Sequence, residues 1–278
     1  MSAPRRDTRG IVNAADLLNH VRFRRHEPAA DLRPYLEHYW LIDWDLPRPY
    51  ATHVVPHPCV NIVFQHYAGQ QPFCEVAGVG LDLFTQELAA TGRVCGIQFR
   101  PGGFRPFAPH APAAEWTGRR LAPPAVFDEP AHAPALATAL HAVLTPEDDR
   151  ARVAALDAFL RGLGPHGRGP EADPQAALAT DLVDLIRGDR SIRRVGDFAR
   201  DQDMPVRTMQ RLFAAYVGVG PKWVILRYRI HEALERAEDE RAVDWAGLAA
   251  DLGYADQAHL VRDFTATVGV PPTAHAAR

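Results

Sequence analysis

Arg207, Gln210 and Arg211 stand at positions i, i+3 and i+4 of the stretch Arg207–Phe213. Helical spacing puts them on one side and Met209, Leu212 and Phe213 on the other. A guanidinium donates two hydrogen bonds to the edge of guanine, and a carboxamide pairs in the same way with adenine. The stretch therefore has the chemistry to read bases in a major groove; a plain solvated face is the bland alternative. Later in the chain, Gln257, Ala258 and Arg262 make a corresponding face beside His259, flanked by Asp256 and Asp263. Asp256 suits the cap of a helix start better than the approach to a phosphate. Lys222, just past Pro221 at a helix start, suits a phosphate contact.

The N-terminal half offers a second set. His53, His57, Cys59 and His66 are metal-ligand types, but they flank a Pro-rich turn and lack the paired His-x-His and later Glu of cupin metalloenzymes. Packing roles are the simpler expectation for them. No Gly-rich phosphate loop and no G-x-S-x-G elbow is present. The expectation is no catalytic residue, no metal and no cofactor. Tyr39, Trp40, Trp44, Phe64, Tyr67, Phe73 and Phe99 fit either a ligand pocket or a plain aromatic core, and residue type alone does not separate the two. Trp40, Phe64, Tyr67 and Phe99 are the ligand-contact candidates.

The elements that position the first set form a repeat between Val195 and Pro271. Phe198-Ala199, then Arg207–Phe213, then Gly218-Val219-Gly220-Pro221 is one copy. Leu248-Ala249, then Gly253-Tyr254, Asp256–Phe264 and Gly269-Val270-Pro271 is the other. The shift is 50 residues from Ala199 to Ala249 and 51 from Phe213 to Phe264. A supersecondary unit used twice is the usual meaning. A small residue followed four positions later by glycine fits the turn of a helix-turn-helix, because glycine takes the left-handed conformation without a Cβ clash. Asp203 stands at the glycine position of the first copy and tolerates that conformation better than most residues.

Val195–Arg278 resembles the DNA-binding domain of AraC/XylS-type transcription regulators. The closest matches are Asp256-Gln257-x-His259 and the Phe264, Gly269, Pro271 spacing, with Arg229-Ile230 and Ala233 in a linker helix over Trp223–Ala237. Two departures are Pro205, where the family usually has a serine cap, and an end soon after Pro272. The resemblance implies a regulator that binds double-stranded DNA through Arg207, Thr208, Gln210, Arg211, Lys222, Gln257, His259 and Arg262. It also implies a small-molecule effector or a homodimer contact at the N-terminal domain, and RNA polymerase as a partner if the regulator activates. Arg229 has two readings, a DNA contact or an ion pair with Asp256.

The net charge of −3 does not advertise a nucleic-acid binder. Residues 187–229, however, carry ten basic and four acidic side chains, whereas residues 230–278 carry four and nine. Phosphate attracts the first half at +6 and is repelled by much of the second at −5. The two copies are expected to work unequally. There is no apolar run of about 18 residues, so no membrane span is expected. Three cysteines and a polar Met1–Gly10 suit the cytoplasm. The excess of Ala, Arg, Pro and Asp over Lys is what a GC-rich bacterial genome produces.

The length favours two domains. Tyr35–Leu46, His53–Val55, Val60–Tyr67, Phe73–Val79 and Val94–Arg100 read as strands, after an irregular or partly helical 11–33. Ala113–Leu121, Ala133–Leu144 and Pro146–Leu163 read as helical. The stripe Val153, Leu156, Phe159, Leu160 and Leu163 serves either packing or a dimer contact. The expected fold is α+β: a small β-barrel or sandwich, cupin-like, with helices over 1–165, a Gly/Pro-rich linker at 166–174, and an all-α double helix-turn-helix domain over 175–278. Two alternatives are a cupin-like metalloenzyme fused to a DNA-binding module and a ligand-independent dimeric repressor.

Overall fold

The computed structural model describes residues 8–127, 132–164, 173–239 and 243–275. Strands β1 (Ile11–Val12), β2 (Arg22–His26), β3 (Leu36–Val54), β4 (Asn61–Tyr67), β5 (Phe73–Ala77), β6 (Phe84–Phe99) and β7 (Arg120–Leu121) form one antiparallel sheet. Its order is β1-β3-β6-β4-β5-β7, with β2 also on β3. The ends of this path do not pair among the described residues, so the sheet wraps a cavity without closing into a barrel.

Several boundaries differ from the sequence reading. Strand β3 runs on to Val54 rather than stopping at Leu46, because Pro47 and Pro49 sit where the register shifts between Leu46 and Tyr50. A bulge is where a strand tolerates residues that cannot donate to the ladder. Strand β6 begins ten residues earlier than expected, at Phe84. The segment 11–33 holds β1, helix α1 (Ala14–His20) and β2. Ala113–Leu121 is not a helix: it has a single 3₁₀ turn, Ala113–Trp116, and then β7.

Alternation divides the sheet into two faces. Tyr39, Leu41, Ile62, Phe64, Cys95, Ile97 and Phe99 face a core closed by helices α2 (His132–Leu144) and α3 (Asp149–Leu163). Leu156, Phe159, Leu160 and Leu163 of α3 are buried there, and Phe159 meets Phe64 edge-on at 5.2 Å. The α3 stripe thus packs within the chain. Arg152 is fully buried beside it and donates to Asp43, which also accepts from Arg24 and Arg93. Removing one member of such a cluster leaves an uncompensated buried charge, at about 3–5 kcal/mol.

Six helices follow: α4 (Pro174–Gly188), α5 (Val195–Asp201), α6 (Val206–Tyr216), α7 (Pro221–Asp239), α8 (Trp245–Asp251) and α9 (Gln257–Val268); a short α10 (Pro272–His275) ends the described chain. Residues 166–172 of the expected linker lie outside the described residues. Asp173 caps α4 by accepting from the Gln175 and Ala176 amides. The two helical cores are not isolated from the sheet. Val79 joins the core of α4–α7, and Val12 and Val55 join that of α7–α9. Thr180 Oγ1 donates to the Pro101 carbonyl, 2.6 Å, and Arg100 pairs with Asp184.

Candidate nucleic-acid interface and cavity

The two helix-turn-helix units are built alike. In the first, Asp203 has φ +48°, and the Met204 amide donates to the Ala199 carbonyl at 2.9 Å. In the second, Gly253 has φ +73°, and the Tyr254 amide donates to the Ala249 carbonyl at 2.8 Å. Each turn thereby satisfies carbonyls left over at the end of α5 or α8. Ala199 and Ala249 are buried at the helix crossings, where a larger side chain would push the helices apart.

Helix α6 buries Met209, Leu212 and Phe213 and exposes Arg207, Gln210 and Arg211, with Thr208 half-buried between. Pro205 occupies its cap position, so α6 starts without a side-chain acceptor for its first amides. In α9, Leu260, Phe264 and Val268 are buried while Gln257, His259 and Arg262 are exposed. Asp256 caps α9 by accepting from the His259 amide, 2.7 Å. His259 and Asp263 stand 3.8 Å apart, so an acid lies directly on this face.

The +6 balance of residues 187–229 overstates what DNA would meet. Arg187 and Arg190 pair with Asp184 and Glu232, and Arg200 with Asp197. Arg193 donates to the Ala250 and Asp251 carbonyls at the end of α8. Arg229 donates to the Arg193 carbonyl, 3.0 Å, and lies over the Tyr254 ring. It makes neither the Asp256 pair nor an open contact surface; together Arg193 and Arg229 tie one unit to the other. Arg227 is buried and donates to the Leu81 carbonyl, and burial lowers its pKa to about 10. Among the described residues of this stretch, this leaves Arg194, Arg207, Arg211 and Lys222 exposed, with side chains that make no hydrogen bond or ion pair. Lys222 stands in the first turn of α7, where the helix dipole also favours an anion.

On the concave face of the sheet is a cavity of about 230 Å³. Trp40 and Tyr67 line it; Phe64 and Phe99 do not, since both are fully buried in the core on the opposite face. Trp44, Phe84 and Gln98 line it as well. Trp40 lies directly opposite Gly96 and Trp44 opposite Gly92, and a Cβ at either glycine would overlap the facing indole. The signal was present in the sequence: tryptophans four apart on one strand and glycines four apart on its partner. Trp40 Nε1 donates to Asn61 Oδ1, 3.2 Å, which fixes the ring.

The histidines do not converge. His53 bonds Thr85, His66 is exposed, and Cys59 is buried, its thiol pKa pushed up to about 12 by burial. No group of three metal-ligand side chains gathers among the described residues. His57 instead lines the cavity and stacks on His231 of α7. Arg9, another cavity residue, pairs with Glu235 of the same helix through Nε–Oε1, 2.6 Å, and Nη2–Oε2, 3.1 Å. Sequence reasoning missed both contacts.

Residues 198–278 match a family described as a helix-turn-helix domain. Residues 24–122 match one described as a domain of unknown function, DUF6597. No curated protein matches the chain in sequence. Among solved structures, ToxT from Vibrio cholerae O395 is similar at 11% identity and a TM-score of 0.41, over 88% of this chain and 98% of that one. ToxT from Vibrio cholerae strain SCE256, bound to an unsaturated fatty acid, is similar at 10% identity and a TM-score of 0.42, over 90% and 96%. No helix among the described residues is long and apolar enough to cross a membrane.

Proposed function

We propose, for a chain whose C-terminal part is an AraC-type helix-turn-helix domain and which is a DNA-binding transcription regulator, that α6 carries most of the contact with DNA and that the N-terminal cavity holds a small-molecule effector. Arg207, Thr208, Gln210 and Arg211 enter one major groove, and Lys222 takes a phosphate. Gln257, His259 and Arg262 enter the next groove with less electrostatic help, since Asp263 stands on the same face. The observation that carries this reading is the matched pair of left-handed turns, which exposes the polar faces of α6 and α9 in the same way.

Residues 1–165 form the regulatory domain in this reading, 166–174 the linker and 175–278 the DNA-binding domain. The protein works in the cytoplasm, as a homodimer on its site, without catalysis; RNA polymerase is a partner if it activates. The cavity supports the effector, because an apolar chamber with indole walls gains from filling.

Selection of bound duplexes from a random-sequence pool tests the DNA reading. The expected result is enrichment of one motif with two half-sites about one helical turn apart. Enrichment of no motif would contradict it. On the selected duplex, Lys222→Ala is expected to lower the slope of log affinity against log salt by about one, the value of one lost phosphate contact. An unchanged slope would remove Lys222 from the interface.

A further inference from the structure

We propose that the effector is an organic anion, an apolar body bearing a carboxylate-type group, and that this group takes Arg9 away from Glu235. The inference rests on the effector reading of the cavity and names the ligand class for it. Among the described residues, the cavity wall includes Arg9, Arg25, Arg120 and His57 but no aspartate or glutamate. Glu235 pairs with Arg9 and Glu75 with Arg120, and both acids stand outside the lining. Arg120 is held between Glu75 and the face of Phe84, with both partners from the sheet region. Arg9 differs, because its acid comes from α7.

The Arg9–Glu235 pair is bidentate and partly exposed, at 32% and 26% of the two side chains. An N-terminal arginine beside an apolar chamber therefore already holds a carboxylate in fork geometry, and that carboxylate belongs to the DNA-binding part. A ligand carboxylate offers the same geometry. It also brings an apolar body to lay against Trp40 and Trp44, which Glu235 lacks. Apolar walls raise the strength of the new ion pair above that of the half-solvated one it replaces. A neutral ligand of the same shape fills the chamber but leaves Arg9 with Glu235. Ligand charge thus decides whether α7 is released.

The test titrates the full chain, by calorimetry at one pH, with matched acids and primary amides on three apolar bodies: 3-phenylpropanoate, indole-3-acetate and 4-butylbenzoate. At least one acid is expected to bind about tenfold or more tighter than its amide. Arg9→Gln is expected to erase that preference with an unchanged circular dichroism spectrum. Glu235→Gln removes the competitor and is expected to tighten the acid at least threefold without changing the amide, a gain that misfolding does not produce. Amides that bind as well as their acids would overturn the anion assignment and leave the effector reading standing. An acid affinity unchanged by Glu235→Gln would overturn the exchange at Arg9. Binding of neither acids nor amides would overturn both this inference and the effector reading of the cavity.

Discussion

His57 at the rim of the cavity and His231 on α7 stack with ring centroids 4.3 Å apart and planes 16° apart. His231 is almost fully buried, and its Nε2 lies 3.3 Å from the Pro56 carbonyl, to which a neutral ring donates. His57 Nε2 donates in the same way to the Arg9 carbonyl, 2.9 Å. The sheet region and the linker helix of the DNA-binding part thus meet through two stacked imidazoles.

This contact makes docking sensitive to acid. Burial first, then His57 and Arg227, hold the His231 pKa well below 6.5, and Arg9 adds in the same direction. Arg227 and Arg9 are cations that act on His231, and Arg9 is itself paired with Glu235. A base whose folded pKa is depressed stabilises the fold fully above its unfolded value and loses that contribution as pH falls below it. The midpoint of denaturant unfolding is expected to drop between pH 7.5 and 5, and His231→Leu to flatten that drop. A midpoint independent of pH over this range would contradict the assignment.

Gly96→Ala places a methyl where the Trp40 indole lies. Overpacking of this kind costs about 1–3 kcal/mol. The variant is expected to unfold at lower denaturant and to show altered tryptophan emission, while Gly162→Ala, a helical position with open space at its Cβ, leaves the emission unchanged and does not lower the midpoint. Equal stability of Gly96→Ala and the parent would show that the indole does not rest on that strand.

The helical part draws Val12, Val55 and Val79, with the partly buried Leu83, from the sheet region. The other apolar side chains of both cores are its own. A fragment of residues 171–278 is expected to fold, with strong helical circular dichroism, and to melt below the full chain. Absence of a cooperative transition in the fragment would show that the sheet is required for its fold.

The repeat was readable because turn chemistry is local. Asp203 and Gly253 report a left-handed backbone whatever surrounds them, and Asp256 caps the helix that follows it. The face of a strand residue is not local. Phe64 and Tyr67 share β4, yet three positions along a strand of period two put them on opposite faces. Strand β3 continues through Pro47 and Pro49, and only its pairing with β6 shows that they sit at a register shift. Charge counting overstates the available positive charge for a related reason. Arg193, Arg227 and Arg229 add to a sum, but each is spent on a carbonyl that sequence does not place beside it.

The central claim is that α6 does more of the binding than α9, and titration of Arg211→Ala and Arg262→Ala on one selected duplex, at one fixed salt concentration, tests it. Loss of a bidentate arginine–base pair costs about 1–3 kcal/mol. Since about 1.4 kcal/mol is tenfold in affinity, Arg211→Ala is expected to weaken specific binding about tenfold or more. Arg262→Ala, whose helix carries Asp263 and His259 as a close pair, is expected to cost less. A larger loss for Arg262→Ala than for Arg211→Ala would contradict the account.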